Sequence, residues 1–126
     1  MSIEAEVKTY LQNYAGLKAL IGDRINPDTL PEGPYPAVTF FVVSSDHRHD
    51  IDIGDTSFQF DCWGTTKSSV IAVAEQIRHA LQRYKGMMGS ISVIQGVFEG
   101  ENDLPFESDS KLFHRAVEIR ITYEEV

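Results

Sequence analysis

The stretch Leu112-Phe113-His114-Arg115-Ala116-Val117-Glu118-Ile119-Arg120-Ile121-Thr122-Tyr123-Glu124 decides the fold. Phe113, Val117, Ile119, Ile121 and Tyr123 alternate with His114, Ala116, Glu118, Arg120 and Thr122, the period of two that places one set on each face of a strand. One face belongs to a core and the other carries charge, so this strand lies in a sheet covered on one side only. Thr56 to Trp63 repeats the pattern: Phe58, Phe60 and Cys62 fall on one face, and Ser57, Gln59, Asp61 and Trp63 on the other.

Working outward, Ala37 to Ser44 is rich in β-branched and aromatic residues and reads as a buried strand. Ser90 to Phe98 gives a further alternating strand, followed by a polar stretch, Glu99 to Lys111, expected to be a long loop with Leu104, Pro105 and Phe106 inside it. Two segments show helical steps instead. Ile3, Val7, Tyr10, Leu11, Tyr14, Leu17 and Ile21 recur every three or four residues, with Ser2 as a cap and Gly22 as the stop. Val70, Val73, Ala74, Ile77, Ala80, Leu81 and Tyr84 do the same behind a threonine cap, with Gly86 and Gly89 expected to end that helix. Between the first helix and first strand, residues 22–36 hold four of the five prolines and read as a stiff connector.

The predicted order is α-β-β-α-β-β. It implies an α+β fold: a four-stranded, mostly antiparallel sheet with two helices packed on one face, in one domain spanning residues 1–126. Gln59, Asp61, Glu118 and Arg120 are expected on the opposite face, open to water or a partner.

Composition narrows the function. The 126 residues carry 19 acidic and 11 basic side chains, a formal charge of −8, which argues against gripping nucleic acid by its phosphates or docking on anionic lipid. The longest apolar run, Ala37 to Val43, is far shorter than the ~20 residues a membrane helix needs, and the acidic start lacks a signal peptide's basic and apolar regions. Cys62 is the only cysteine, so neither an intrachain disulfide nor a multi-thiolate zinc site is expected, and a reducing compartment suits the chain. The glycines fit no phosphate-binding motif.

Two runs look chemical. Asp46-His47-Arg48-His49-Asp50 combines two imidazoles with two carboxylates, and Glu99, Glu101, Asp103, Glu107 and Asp109 cluster before the last strand. A small-molecule or metal site, even an enzymatic one, would combine His47 and His49 with acids of residues 99–109. Neither run has established metal-ligand spacing, and His79 and His114 lie on other elements. No catalytic, cofactor-binding or metal-binding residue is assigned. Both runs read better as projections from a small body: His47, Arg48, His49 and Asp50 on one, Leu104 and Phe106 on the other, are the candidate contacts with an oligomer neighbour or partner.

Three stretches carry a family resemblance. Leu17-Lys18-Ala19-Leu20-Ile21-Gly22-Asp23-Arg24-Ile25, followed by Leu30 to Val38, is one; Phe58-Gln59-Phe60-Asp61-Cys62-Trp63-Gly64-Thr65-Thr66 running into a helix is another; Phe113 to Ile121 is the third. In this order they resemble the small tail-completion or tail-terminator proteins of long-tailed phages and prophages. The resemblance implies a structural virion protein without cofactor or catalytic residues. It implies a homo-oligomeric ring, typically hexameric, that ends the tail tube and meets the head connector. DNA would only pass through its channel, and no membrane partner is implied. The protein would be made in the bacterial host cytoplasm and reside in the virion tail.

Overall fold

The computed structural model describes residues 3–27, 34–48 and 53–125, with backbone alone for His47 and Arg48. Among the described residues three helices, α1 (Ile3–Gln12), α2 (Ala15–Ile21) and α3 (Lys67–Leu81), accompany six strands: β1 (Ile25–Pro27), β2 (Ala37–Arg48), β3 (Ile53–Gly64), β4 (Gly86–Met88), β5 (Ile91–Glu107) and β6 (Leu112–Glu125). One mixed sheet runs β1-β2-β3-β6-β5-β4. Every pairing is antiparallel except β1 with β2. The α+β class and the four long strands agree with the sequence reading; six strands and three helices replace the expected four and two.

Each difference has a local cause. The first helical segment breaks at Asn13-Tyr14, where Tyr14 turns extended and caps α2 without a side-chain bond. Asn and the nearby Gly16 are weak helix formers, and Gly16 lies against Gln76 of α3 so closely that a Cβ there would collide. Strand β1 hides in the proline-rich connector: Ile25 to Pro27 pair with Val38 to Phe40, and Pro27, lacking a donor, is tolerated at the sheet edge. Helix α3 is capped as expected, Thr66 Oγ1 accepting from the Ser69 amide at 3.2 Å, but it ends at Leu81. Gly86 instead opens β4, and Gly89 turns between β4 and β5 at φ 61°.

The largest correction concerns Glu99 to Lys111. Residues through Glu107 continue β5 and pair with β6, leaving only a short turn before Leu112. Arg115 on β6 faces Glu101 and Asp103 on β5, so side chains that suggest a solvated loop are cross-strand ion-pair partners. Pro105 sits where the register slips between Leu104 and Glu107, on a stretch of β5 that β4 does not reach.

All three helices feed one core on one sheet face. Phe40, Phe58 and Phe60 are fully buried, with ring centroids 5.4–5.9 Å apart, and meet Leu11, Ile21, Ile77, Val117 and Ile119. Helix α1 packs against both β1 and β4, so the sheet curls until its two edge strands flank one helix. Gly96 lets β5 approach the end of α3 closely: its amide and carbonyl bond Tyr84 and Arg83, and a Cβ would strike the Leu81 backbone. Among the described residues no helix is long and apolar enough to cross a membrane.

Candidate functional site: the hairpin ends and the outer sheet face

Register places the two projections at opposite ends of the sheet. Strand β3 runs from Ile53, paired with Arg48 and Glu124, to Gly64, paired with Phe113. The β2–β3 hairpin therefore ends near the C-terminus of β6, and the β5–β6 hairpin ends beyond its start. His47 and Arg48 pair through their backbones with Gly54 and Ile53, while His49 and Asp50 lie outside the described residues. Leu104 and Phe106 belong to the other end. The structure does not bring the two candidate contact regions into one patch of a protomer.

At the β5–β6 end, Leu104 is 37% and Phe106 48% exposed, although Phe106 lies 4.8 Å, centroid to centroid, from Phe113. Together with Lys67, Val70 and Asp103 these side chains border a shallow cavity of about 150 Å³. Its polar rim is neutralised internally. Arg115 binds Glu101 through Nε and Nη2 and Asp103 at 2.5 Å, while Lys67 lies 3.4 Å from Asp103. The hydrogen bond from Arg115 holds the Asp103 carboxyl below its ordinary range, with the charges of Arg115 and Lys67 acting the same way.

The outer face departs from a uniformly wet surface. Near Gly64 it forms a closed polar cluster: the Trp63 indole stacks on His114 at 3.8 Å and 19°, and its Nε1–H donates to Thr39 Oγ1 at 3.0 Å. His114 Nε2 and Gln59 Nε2 each lie 2.8 Å from Asp61 Oδ1. Asp61 and Trp63 are buried. The alternation in the sequence puts Gln59, Asp61, Trp63 and His114 on the right face but not in this cluster, because the pairing of Trp63 with His114 depends on the register of β3 against β6. Toward the other end the face opens, and Ser57 donates to Glu99 at 3.0 Å with Arg120 3.9 Å away.

Among the described residues no group of three or more His, Cys, Asp or Glu side chains stands close enough to hold a metal ion. Glu101 and Asp103, which a metal site built on residues 99–109 would use, are engaged by Arg115. Cys62 is fully buried, and burial pushes its thiol well above the ordinary range, the opposite of an activated nucleophile. His79 stands on the exposed side of α3.

The fold is similar to that of a chain in the solved virion of a native gene transfer agent particle, with a TM-score of 0.74 at 16% identity, covering 98% of this chain and 95% of that one. Among curated proteins none matches the sequence. The fold is thus that of an α+β protomer found in a virion particle. More specifically, the family model of tail completion protein gp17 matches residues 5–124, and the chain belongs to that family. It is a phage tail-completion protein by family, and the role that family describes is structural.

Proposed function

We propose that this protein completes the phage or prophage tail by assembling copies of itself into a closed, hexameric ring. The ring sits on the last ring of the tail tube and presents its other side to the head connector. The observation that carries this reading is the family match over nearly the whole chain. The geometry is compatible: long hairpins extend from both ends of a small body, the form needed by a subunit that must touch neighbours on two sides. The formal charge of −8 suits a ring through which DNA passes without being held, because phosphates are retained by Lys and Arg, not by carboxylates. The protein acts in the virion tail after synthesis in the bacterial cytoplasm.

Negative-stain microscopy of the purified protein, alone at high concentration and mixed with tail tubes, tests the proposal. Rings seated on tube ends are the expected result. A protein that stays monomeric and binds neither tube nor connector subunits would overturn it.

A further inference from the structure

The chain carries a groove it cannot fill itself. Helix α1 and strand β4 border an apolar groove of about 380 Å³, walled by Tyr10, Tyr14 and Met87, with Met87 57% exposed. The groove is built firmly: Tyr10 donates to the Ala80 carbonyl at 2.7 Å and packs on Tyr84 at 4.8 Å, and Tyr84 donates to the Met87 carbonyl at 2.6 Å. Beside it, the end of α3 and the link to β4 form the run Arg78-His79-Ala80-Leu81-Gln82-Arg83-Tyr84-Lys85, which has three cations, a histidine and no acid in a chain of net −8. Arg83 and Lys85 are exposed and make no ion pair with the described residues.

The end of the β5–β6 hairpin has the opposite character. Residues 99–111 hold five acids and one base, Lys111. With Glu101 and Asp103 taken up by Arg115, Glu107 and Asp109 remain outward beside exposed Leu104 and Phe106. Strand β4 pairs with β5 at Ile91 to Val93, whereas the hairpin turns after Glu107. The groove and the hairpin end are therefore separated by most of a 17-residue strand and lie toward opposite ends of the sheet. No protomer can place its own hairpin in its own groove.

The geometry points to a head-to-tail contact in which the β5–β6 hairpin of one copy, led by Phe106 and Leu104, enters the α1–β4 groove of the next, with Glu107 and Asp109 meeting Arg83 and Lys85. A second copy supplies both features the groove calls for, an apolar tip and flanking carboxylates, in one short segment. A contact between unlike surfaces at opposite ends of the subunit is heterologous, the type that forms a ring when its rotation closes. This inference deepens the ring reading above and rests on it, yet it is tested separately.

Two full-length variants, Phe106→Cys and Met87→Cys, are mixed and oxidised; Cys62 stays in place because it is fully buried. A disulfide heterodimer well in excess of either homodimer is expected, whereas Asp46→Cys on the other hairpin should not cross-link to Met87→Cys. Phe106→Ala should weaken self-association by about tenfold or more. Arg83→Glu with Lys85→Glu should do likewise, and pairing it with Glu107→Lys and Asp109→Lys should restore association. Absence of the heterodimer, or cross-linking through Asp46→Cys instead, overturns the contact. Heterodimers without rings in the microscope would leave the contact standing and remove the ring; rings that survive Phe106→Ala and the charge reversals would do the converse.

Discussion

Replacing Arg115 with methionine tests whether the acidic run is strand or loop. In the structure Arg115 is 20% exposed and binds Glu101, itself 17% exposed, through two nitrogens, while its third contact goes to the half-exposed Asp103. Methionine keeps much of the stem's packing but leaves the Glu101 carboxylate without its partner. A hydrogen bond to a charged group contributes about 1.5–3 kcal/mol, so a loss near 2 kcal/mol is expected from Glu101, with the exposed Asp103 bond screened by water. With an unfolding entropy of about 2.1 cal/mol/K per residue over 126 residues, that loss corresponds to a fall in Tm of about 8 °C. Urea titrations at neutral pH measure it, and Arg115→Met combined with Glu101→Gln should recover part. The pH dependence has a definite sign. The folded-state Asp103 pKa lies below its ordinary value, so its contribution is present above the unfolded pKa and fades as pH falls through the folded one. The part of the Arg115→Met deficit that comes from Asp103 should therefore fade in acid. A variant as stable as wild type at neutral pH, or one whose deficit persists undiminished in acid, would refute the cross-strand assignment.

Other expectations follow from the core, a cap and a buried carboxylate. Phe60→Ala removes a fully buried ring packed between Phe40 and Phe58 and should cost about 3–5 kcal/mol by denaturant unfolding. Thr66→Ala deletes the side-chain cap of α3 and should cost about 1 kcal/mol, with Thr66→Ser largely neutral. Glu6 is buried and accepts the Ser90 amide, a bond that holds its carboxyl below the usual range. Glu6→Gln should thus be less stable than wild type at neutral pH, with the difference closing as pH falls through the folded pKa. A deficit that grows in acid would contradict that direction.

The Leu112 to Glu124 alternation, the Phe58-Phe60-Cys62 face, the Thr66 cap and the apolar steps of α3 were all readable because each depends on neighbours within a few residues. Leu104 and Phe106 stood out as apolar residues in an acidic run, and the structure leaves both partly exposed. Family membership was legible too, through three short motifs in order. By contrast, nothing local distinguishes Glu99 to Glu107 as strand: its charges suit a β-ladder only because Arg115 stands opposite. The three-residue strands β1 and β4 have no periodicity of their own and exist only where Val38 and Ile91 already offer an edge.

Periodicity in the chain thus specified which faces are apolar, because a strand or helix imposes its repeat on side chains one residue at a time. Which strands meet was decided by long-range packing alone. The central pairing of β3 with β6, 113 opposite 64, sends the two hairpins to opposite ends of the sheet. It also stacks Trp63 on His114, and the curl brings β1 and β4 to the same helix, where the groove between α1 and β4 lies. The residues of each surface are contiguous or periodic in the chain. Their placement at opposite ends is a property of the sheet.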